Sequence, residues 1–577
     1  MRLKRLCCVA GTAALVTSAA THSADLGVPV KAQAAIWSWT GGYVGGHFGG
    51  GYGRTSFTDP YGPSIYGDVV DTPALLSGGQ IGYNWQRERW VFGFEVDGSG
   101  AISNGTNTCL AASGMIVSAN CKAGPDVFAT GTGRLGYTFG LQGRTLAYFK
   151  LGVAWQHNRG DIVNNHEPED VLKNATRFDD SRLGGTIGVG IEQALTSDWS
   201  LKFEYDYLRF GGPSLATPPT TQHPLPSVVP ANVSTLSSSY HIGKIGLNYH
   251  FDAGGGTPEW SDLALYPTKP SVNARPIALT QDWSVESGTR VWLSRGRFQW
   301  DHPYEPYNDP SSLVSRLTYH KLDGISGELF ERIESPWGIF LKGNIGFGRF
   351  GRGSMNDEDW AIDTDGVPTA YYLTESREAN GRFTYYTADA GYDFLRGSTY
   401  KAGAFVGWTY YGQKSDSIGC IQLALPYYPC FGGSENDNRT VHKRTVGSED
   451  ANWNALRIGV TAETVLLDRW RLSAEVAYLP WTDFQGRDNH LYREKTTFLD
   501  QRGSDGGGVQ LEGILSYFVT DTFSVGVGAR YWAMWTSRGS EDFGSGRNGA
   551  GTLHSANDAK YSVERWGTFI QASYKFD

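Results

Sequence analysis

Apolar and polar residues alternate one by one along much of this chain. After the N-terminus, no stretch stays apolar for the roughly 20 residues that a membrane-spanning helix needs. Ile81, Tyr83 and Trp85 alternate with Gln80, Gly82 and Asn84, and Trp90, Phe92, Phe94 and Val96 alternate with Val91, Gly93, Glu95 and Asp97. Period two marks strands whose two faces meet different surroundings. With 75 glycines, 13% aromatic and only 19% charged residues, those surroundings fit lipid outside and a polar lumen inside, since a barrel strand needs only about 10 residues to cross a bilayer. The expected class is all-β, as transmembrane barrels; a secreted soluble β-protein is the alternative. A length of 577 residues asks for two units. A net charge of -9 argues against nucleic acid as a partner.

Residues 1–24 read as a secretory signal: Arg2, Lys4 and Arg5 precede an apolar stretch from Leu6 to Ala20, and small residues follow to Ala24. Cys7 and Cys8 would leave with it. In the oxidising compartment beyond, Cys109 with Cys121 and Cys420 with Cys430 are expected to close two short loop disulfides. Zinc is disfavoured, because no C-x-x-C or paired histidines accompany them, and neither a metal nor a cofactor is expected.

Residues 25–252 are expected to form the first unit, with strands at 40–58, 80–85, 90–97, 126–139, 143–158, 183–194, 197–211 and 238–251, and a tight Gln86-Arg-Glu-Arg89 connection between the second and third. Short connections alternate with long polar ones, as in barrels with tight turns at one end and long loops at the other. Ala24-Asp25-Leu26, Trp39-Thr-Gly-Gly-Tyr43-Val-Gly-Gly46, Gly133-Arg-Leu-Gly-Tyr137 and Trp199-Ser-Leu-Lys-Phe-Glu-Tyr205 resemble the small porin-type surface antigens of the opacity-protein superfamily. That resemblance implies a barrel of about 8 strands and no catalysis. A barrel this narrow is filled by its own side chains, so Glu95 and Asp97 are expected in lumen networks.

Residues 253–280 have linker composition, with Gly254-Gly-Gly-Thr-Pro258, Pro267, Pro270 and Pro276. The first unit ends Tyr249-His-Phe251-Asp252 and the chain ends Tyr574-Lys-Phe576-Asp577. This echo suits the closing strands of two barrels in tandem; one larger barrel of about 18 strands is the alternative. The second unit, 281–577, gives ten segments near 283–300, 313–333, 337–350, 383–395, 400–412, 453–466, 469–482, 507–518, 523–537 and 561–576. Its short turns set every strand's direction. A loop carrying Asp357 then follows the third strand and a loop carrying Asp488 follows the seventh, both at one rim.

Those two loops carry the candidate chemistry. Asp488 and His490 stand two apart, as do Asp357 and Asp359, so each pair can share a face in extended backbone. A carboxylate beside an imidazole favours its protonated form, as a general base acting on water requires. Two neighbouring acids resist ionising together. Either pair alone also fits a solvated or ion-binding rim.

Gly353-Ser-Met-Asn-Asp357-Glu-Asp359-Trp360, the strand-loop-strand around Asp488-Asn-His490 and Arg290-Val-Trp292 together resemble the omptins, ten-stranded outer-membrane proteases. The resemblance spans roughly residues 280–577. It implies an endopeptidase in the outer membrane with its site facing outward, using Asp357, Asp359, Asp488 and His490. Water would lie between Asp357 and His490, Asp488 would orient the histidine, and Asp359 would support the acid pair. Substrates would be peptides or proteins, with lipopolysaccharide as activating partner. The acids that line the family's specificity pocket are replaced by Thr289 and Gly486, which removes the expected preference for Arg or Lys beside the cut. Arg487 is an addition that either acts on the dyad or faces solvent. A non-enzymatic surface antigen or adhesin, or a narrow porin, is the competing reading.

Overall fold

The computed structural model describes residues 37–576 except 112–116, 166–173, 223–226, 252–281, 304–312, 361–370, 425–443, 468, 492–497 and 545–551. The signal, the linker and Cys430 lie outside the described residues. Eight long antiparallel strands form the first ring: β1 (Gly41–Phe57), β2 (Val69–Arg87), β3 (Trp90–Ser103), β4 (Ala119–Phe139), β5 (Thr145–Asn164), β6 (Ala175–Ala194), β7 (Trp199–Ala216) and β8 (Val233–His250). β1 pairs with β8 from Tyr43↔His250 to Phe57↔Leu236, which closes the ring. A short strand, Gly105–Cys109, pairs with β4 beyond the wall, where Cys109 and Cys121 form a disulfide.

Ten strands form the second ring: β9 (Ser284–Pro303), β10 (Leu313–Glu334), β11 (Ile339–Asp359), β12 (Tyr372–Arg396), β13 (Tyr400–Ala424), β14 (Thr445–Leu466), β15 (Trp470–His490), β16 (Gly507–Phe518), β17 (Phe523–Trp535) and β18 (Lys560–Phe576). β9 pairs with β18 from Val285↔Phe576 to Asp301↔Lys560. Three shorter strands, Phe498–Ser504, Arg538–Gly544 and Thr552–Asn557, extend one rim. Two separate closures rule out the single larger barrel and give the expected tandem of all-β barrels.

Period two becomes position on these walls. Val291, Leu293, Ile325, Leu329, Leu341, Ile345 and Ile570 point outward and are exposed, as lipid-facing residues are. Trp283, Trp337 and Trp470 lie toward the short-turn end, and Trp408 and Trp481 toward the other, where amphipathic rings suit a membrane interface. Above this band the outer wall turns charged, with Arg295 and Arg352 both paired to Asp323. The strands do not stop there. β11 and β15 run on to Asp359 and His490, so both candidate pairs are within strands rather than in the loops expected from sequence.

The first lumen is closed by charge. Lys150 Nζ lies within 3.7 Å of Glu95, Asp97, Glu204 and Asp206, while Lys202, Lys244 and Arg134 tie further acids together. The oxygens of Glu95, Asp97 and Glu204 lie within 4.8 Å of one another. The Lys150 ammonium already supplies their cation, so this is an ion network rather than a vacant metal cage. Removing one partner from such a network strands the others. Lys150→Met is therefore expected to cost about 3–5 kcal/mol, read as a lower urea midpoint for the fast-migrating folded band on unboiled gels.

Candidate functional site

Two local irregularities decide which residues face the second barrel's mouth. In the band, Glu328 and Ser326 of β10 face the lumen, but the register shifts between His320 and Gly324, where Lys321 has a φ of 53°. Parity inverts across that step. Tyr319 and Leu317 turn inward, and their partners Met355 and Asp357 turn inward with them, followed by Asp359 opposite Ser315. On the far wall the pairing of β14 with β15 shifts between Leu456 and Ile458. Leu479 and Phe484 consequently both face inward, and Gly486, Asp488 and His490 continue Phe484's face. All four sequence-predicted residues thus line the lumen side of one rim.

His490 Nε2 lies 2.5 Å from Asp488 Oδ2, and the side chains are 14% and 5% exposed. With a proton on Nε2 held by the carboxylate, Nδ1 is the nitrogen that can accept one. Asp359 is buried at the opposite wall. β12, β13 and β14 separate β11 from β15 in the ring, so the two acid-bearing strands face each other across the mouth. Aromatic rings floor the space between them: Tyr319 and Phe298 centroids are 6.5 Å apart, Phe298 and Phe484 5.8 Å, and Phe484 and Tyr561 4.2 Å. Tyr319, cross-strand partner of Met355 two residues before Asp357, has its phenol pushed well up, first by burial and then by the Asp488 carboxylate. That coupling joins the two walls electrostatically.

One acid at this mouth was not anticipated. Arg457, Ala455, Trp453, Ala451 and Glu449 form the inward row of β14, and Glu449 pairs directly across from Asp488 with no exposed surface. The Gln501 amide, oriented to satisfy both its ends, donates to Glu449 Oε1 at 2.9 Å and accepts from Trp300 Nε1 at 3.2 Å. Burial, then the Asp488 charge, pushes the Glu449 carboxyl well above the usual carboxylate range. Extending the alternation of β14 backward from Arg457 would have found it. A second imidazole–acid contact, His302 Nδ1 to Glu541 Oε2 at 2.7 Å, stands on the neighbouring wall. No spacing rule foretells that pair, because its members are 239 residues apart.

Residues 12–251 match the family described as outer membrane protein beta-barrel domain, and residues 330–576 match the omptin family. The 31 kDa outer-membrane immunogenic proteins of Brucella melitensis and Brucella suis are 33% identical over 239 residues, covering 39% of this chain and 88% of each relative. The chain is an outer-membrane protein with an omptin-family domain. Among solved structures, the outer membrane protease OmpT from Escherichia coli aligns with 52% of this chain and 99% of its own, at 15% identity and a TM-score of 0.41. The toluene transporter TodX of Pseudomonas putida aligns with 93% of this chain and 90% of its own, at 8% identity and a TM-score of 0.19.

Within the omptin-family domain, the expectation that Thr289 occupies a pocket position fails. Thr289 is exposed on the outer wall, because Arg290 takes the inward place and donates to Glu328. The β9 side of the mouth is instead Phe298 and Trp300. Gly486 does face inward, but a Cβ there would come within 2.5 Å of the Gln501 side-chain amide and 2.6 Å of the Phe484 ring, so that space is taken. Arg487 points outward, half-exposed, with its guanidinium 3.6 Å from Asp500. It is the solvent-facing alternative that the sequence left open.

Because its pKa is raised in the folded chain, Glu449 keeps a proton that the unfolded chain releases above about pH 4.5. Its contribution is therefore full below that pH and declines as pH rises. Glu449→Gln, which copies the protonated carboxyl, should lose less stability than wild type between pH 5 and 8, measured as urea midpoints at the two ends.

Proposed function

We propose that the omptin-family domain is an endopeptidase that cuts peptides or proteins at the outside of the cell with activated water. The observation that carries this reading is the convergence of Asp357, Asp359, Asp488 and His490 on the lumen side of one rim, with His490 held by Asp488. In the mechanism, water sits between Asp357 and His490. His490 takes its proton as the oxygen attacks the peptide carbonyl, and Asp488 stabilises the imidazolium that results. Asp359 supports Asp357, and the proton returns to the leaving amine. Neither a serine nor a cysteine is acylated, and no metal takes part.

The long-loop rim faces outward in this reading, with the tight turns in the periplasm, as barrels of this class insert. Specificity is set without a carboxylate at Gly486. The aromatic floor below the dyad gives no ion-pair partner for a substrate Arg or Lys, so cuts are not confined to those residues.

Lipopolysaccharide is the proposed activating partner. Its support is a cationic outer wall just above the lipid-facing band, where Arg349 and Arg382 face each other across β11 and β12 and Arg352 and Arg377 stand nearby, all exposed. Like charges opposed in this way favour an anion between them. The charge-filled first lumen weighs against a porin.

His490→Ala and Asp357→Asn should each slow cleavage of a fluorogenic peptide library by about 10²–10⁴-fold, with lipopolysaccharide present and folded-band migration unchanged. Undiminished turnover in either variant would remove the residues from the mechanism.

A further inference from the structure

Beyond the lipid-facing band, β10 and β11 continue as a two-faced sheet. One face carries Leu317, Asp357 and Asp359 toward the mouth. The other face carries Arg316, Glu358 and, just past the strand, Trp360, and in a free-standing barrel it would be wet. Here all three are buried.

What covers them is the first barrel's disulfide-closed hairpin. Arg316 donates to Asp301 at 2.7 and 2.9 Å on its own barrel. Across the gap it donates to Thr108 Oγ1 at 3.0 Å, Asn120 Oδ1 at 2.7 Å and Thr106 Oγ1 at 3.3 Å. Trp360 Nε1 donates to Ser118 Oγ at 2.8 Å, and the Leu313 amide to Asn165 Oδ1 at 3.1 Å. Thr106 and Thr108 lie on the strand that Cys109 ends, and Asn120 precedes Cys121, so the disulfide ties together the acceptors that Arg316 needs.

We propose that the first barrel serves as an intramolecular buttress, its disulfide-linked segments 105–111 and 117–121 holding the strand that presents Asp357 and Asp359 in the position cleavage requires. The proposal rests on the protease reading for its functional half only. A buried guanidinium with several acceptors fixes a strand far better than solvent does, since hydrogen bonds to a charged group are shorter, stronger and more directional than neutral ones. A displacement of about 1 Å at reacting groups can cost 10²-fold in rate. Glu358, cross-strand partner of Arg316, tunes the contact. Burial raises its carboxyl to about 7, against the pull of Arg316 and the Tyr371 hydroxyl, with Asp301 adding to the rise. The covered face therefore holds its proton below neutrality and gains a charge above it.

The test uses the full chain refolded with lipopolysaccharide and a Thr108→Val/Asn120→Leu variant, which alters only the first barrel. Deuterium uptake at 353–360 should accelerate while both barrels keep folded migration, and kcat should fall about tenfold with KM within about twofold. Thr108→Ser, which keeps the hydroxyl, should leave both readouts at wild type. Unchanged uptake at 353–360 overturns the buttress, and unchanged kcat with faster uptake overturns its role in cleavage. If wild type cleaves nothing, uptake still decides the buttress, and the failure belongs to the protease reading. Should the double variant not refold, Thr108→Val alone is measured in the same way.

Discussion

Hydrocarbon offers a peptide group nothing to bond to, and among the described residues no helix is long and apolar enough to cross a bilayer, so these residues can cross only as a closed ring of strands. Everything else here follows from that closure. It is met twice, once where β1 finds β8 and once where β9 finds β18. Each closure converts alternation in sequence into an inside and an outside, and an inside of this size must be filled. In the first barrel interleaved lysines and carboxylates fill it. In the second, Arg290 and Arg530 converge on Glu328 in the band, and an aromatic floor lies above them. The lumen below the mouth is thus packed with side chains.

The rim is where this protein departs from a plain barrel. Strands that outrun the bilayer have a back as well as a front, and the back needs cover or water. The first barrel's outer hairpin supplies cover on the side of β10 and β11. The short strands Phe498–Ser504, Arg538–Gly544 and Thr552–Asn557 extend the opposite wall. Two strand ends more than a hundred residues apart in sequence thereby become facing walls of one mouth.

Period two was enough to read the two barrels, their strand numbers and the rim to which each acid pair belongs. It failed where parity breaks. The step at Lys321 reverses which residues of β10 and β11 face inward, and the extra residue in β15 between Tyr478 and Trp481 does so on the far wall; Gly324 and Pro480 stand at these steps, but neither residue type by itself says that parity inverts. Treating Asp357 and Asp488 as loop residues was the same error in another form, because a strand end in water looks like a loop in composition. Thr289 was misplaced for a related reason: a motif match fixed the letters around Arg290 but not which of them faces the lumen. Glu449 was legible in principle, since the inward row of β14 runs to it unbroken from Arg457. Contacts between distant segments, such as Arg316 with Asn120 or His302 with Glu541, follow from closure and leave no local trace.

Glu449 also bears on how an acid-rich mouth can hold a basic imidazole. A carboxyl buried directly across from Asp488 would, if ionised, set a second negative charge beside that carboxylate. Burial, with the Asp488 charge adding to it, favours the protonated form of Glu449. A neutral carboxyl can donate a hydrogen bond as well as accept one, and here it accepts from Gln501. The same low dielectric that makes a lone buried charge costly therefore favours the proton on Glu449. The floor of aromatic rings that fills the lumen is thus also part of what shuts water away from this acid.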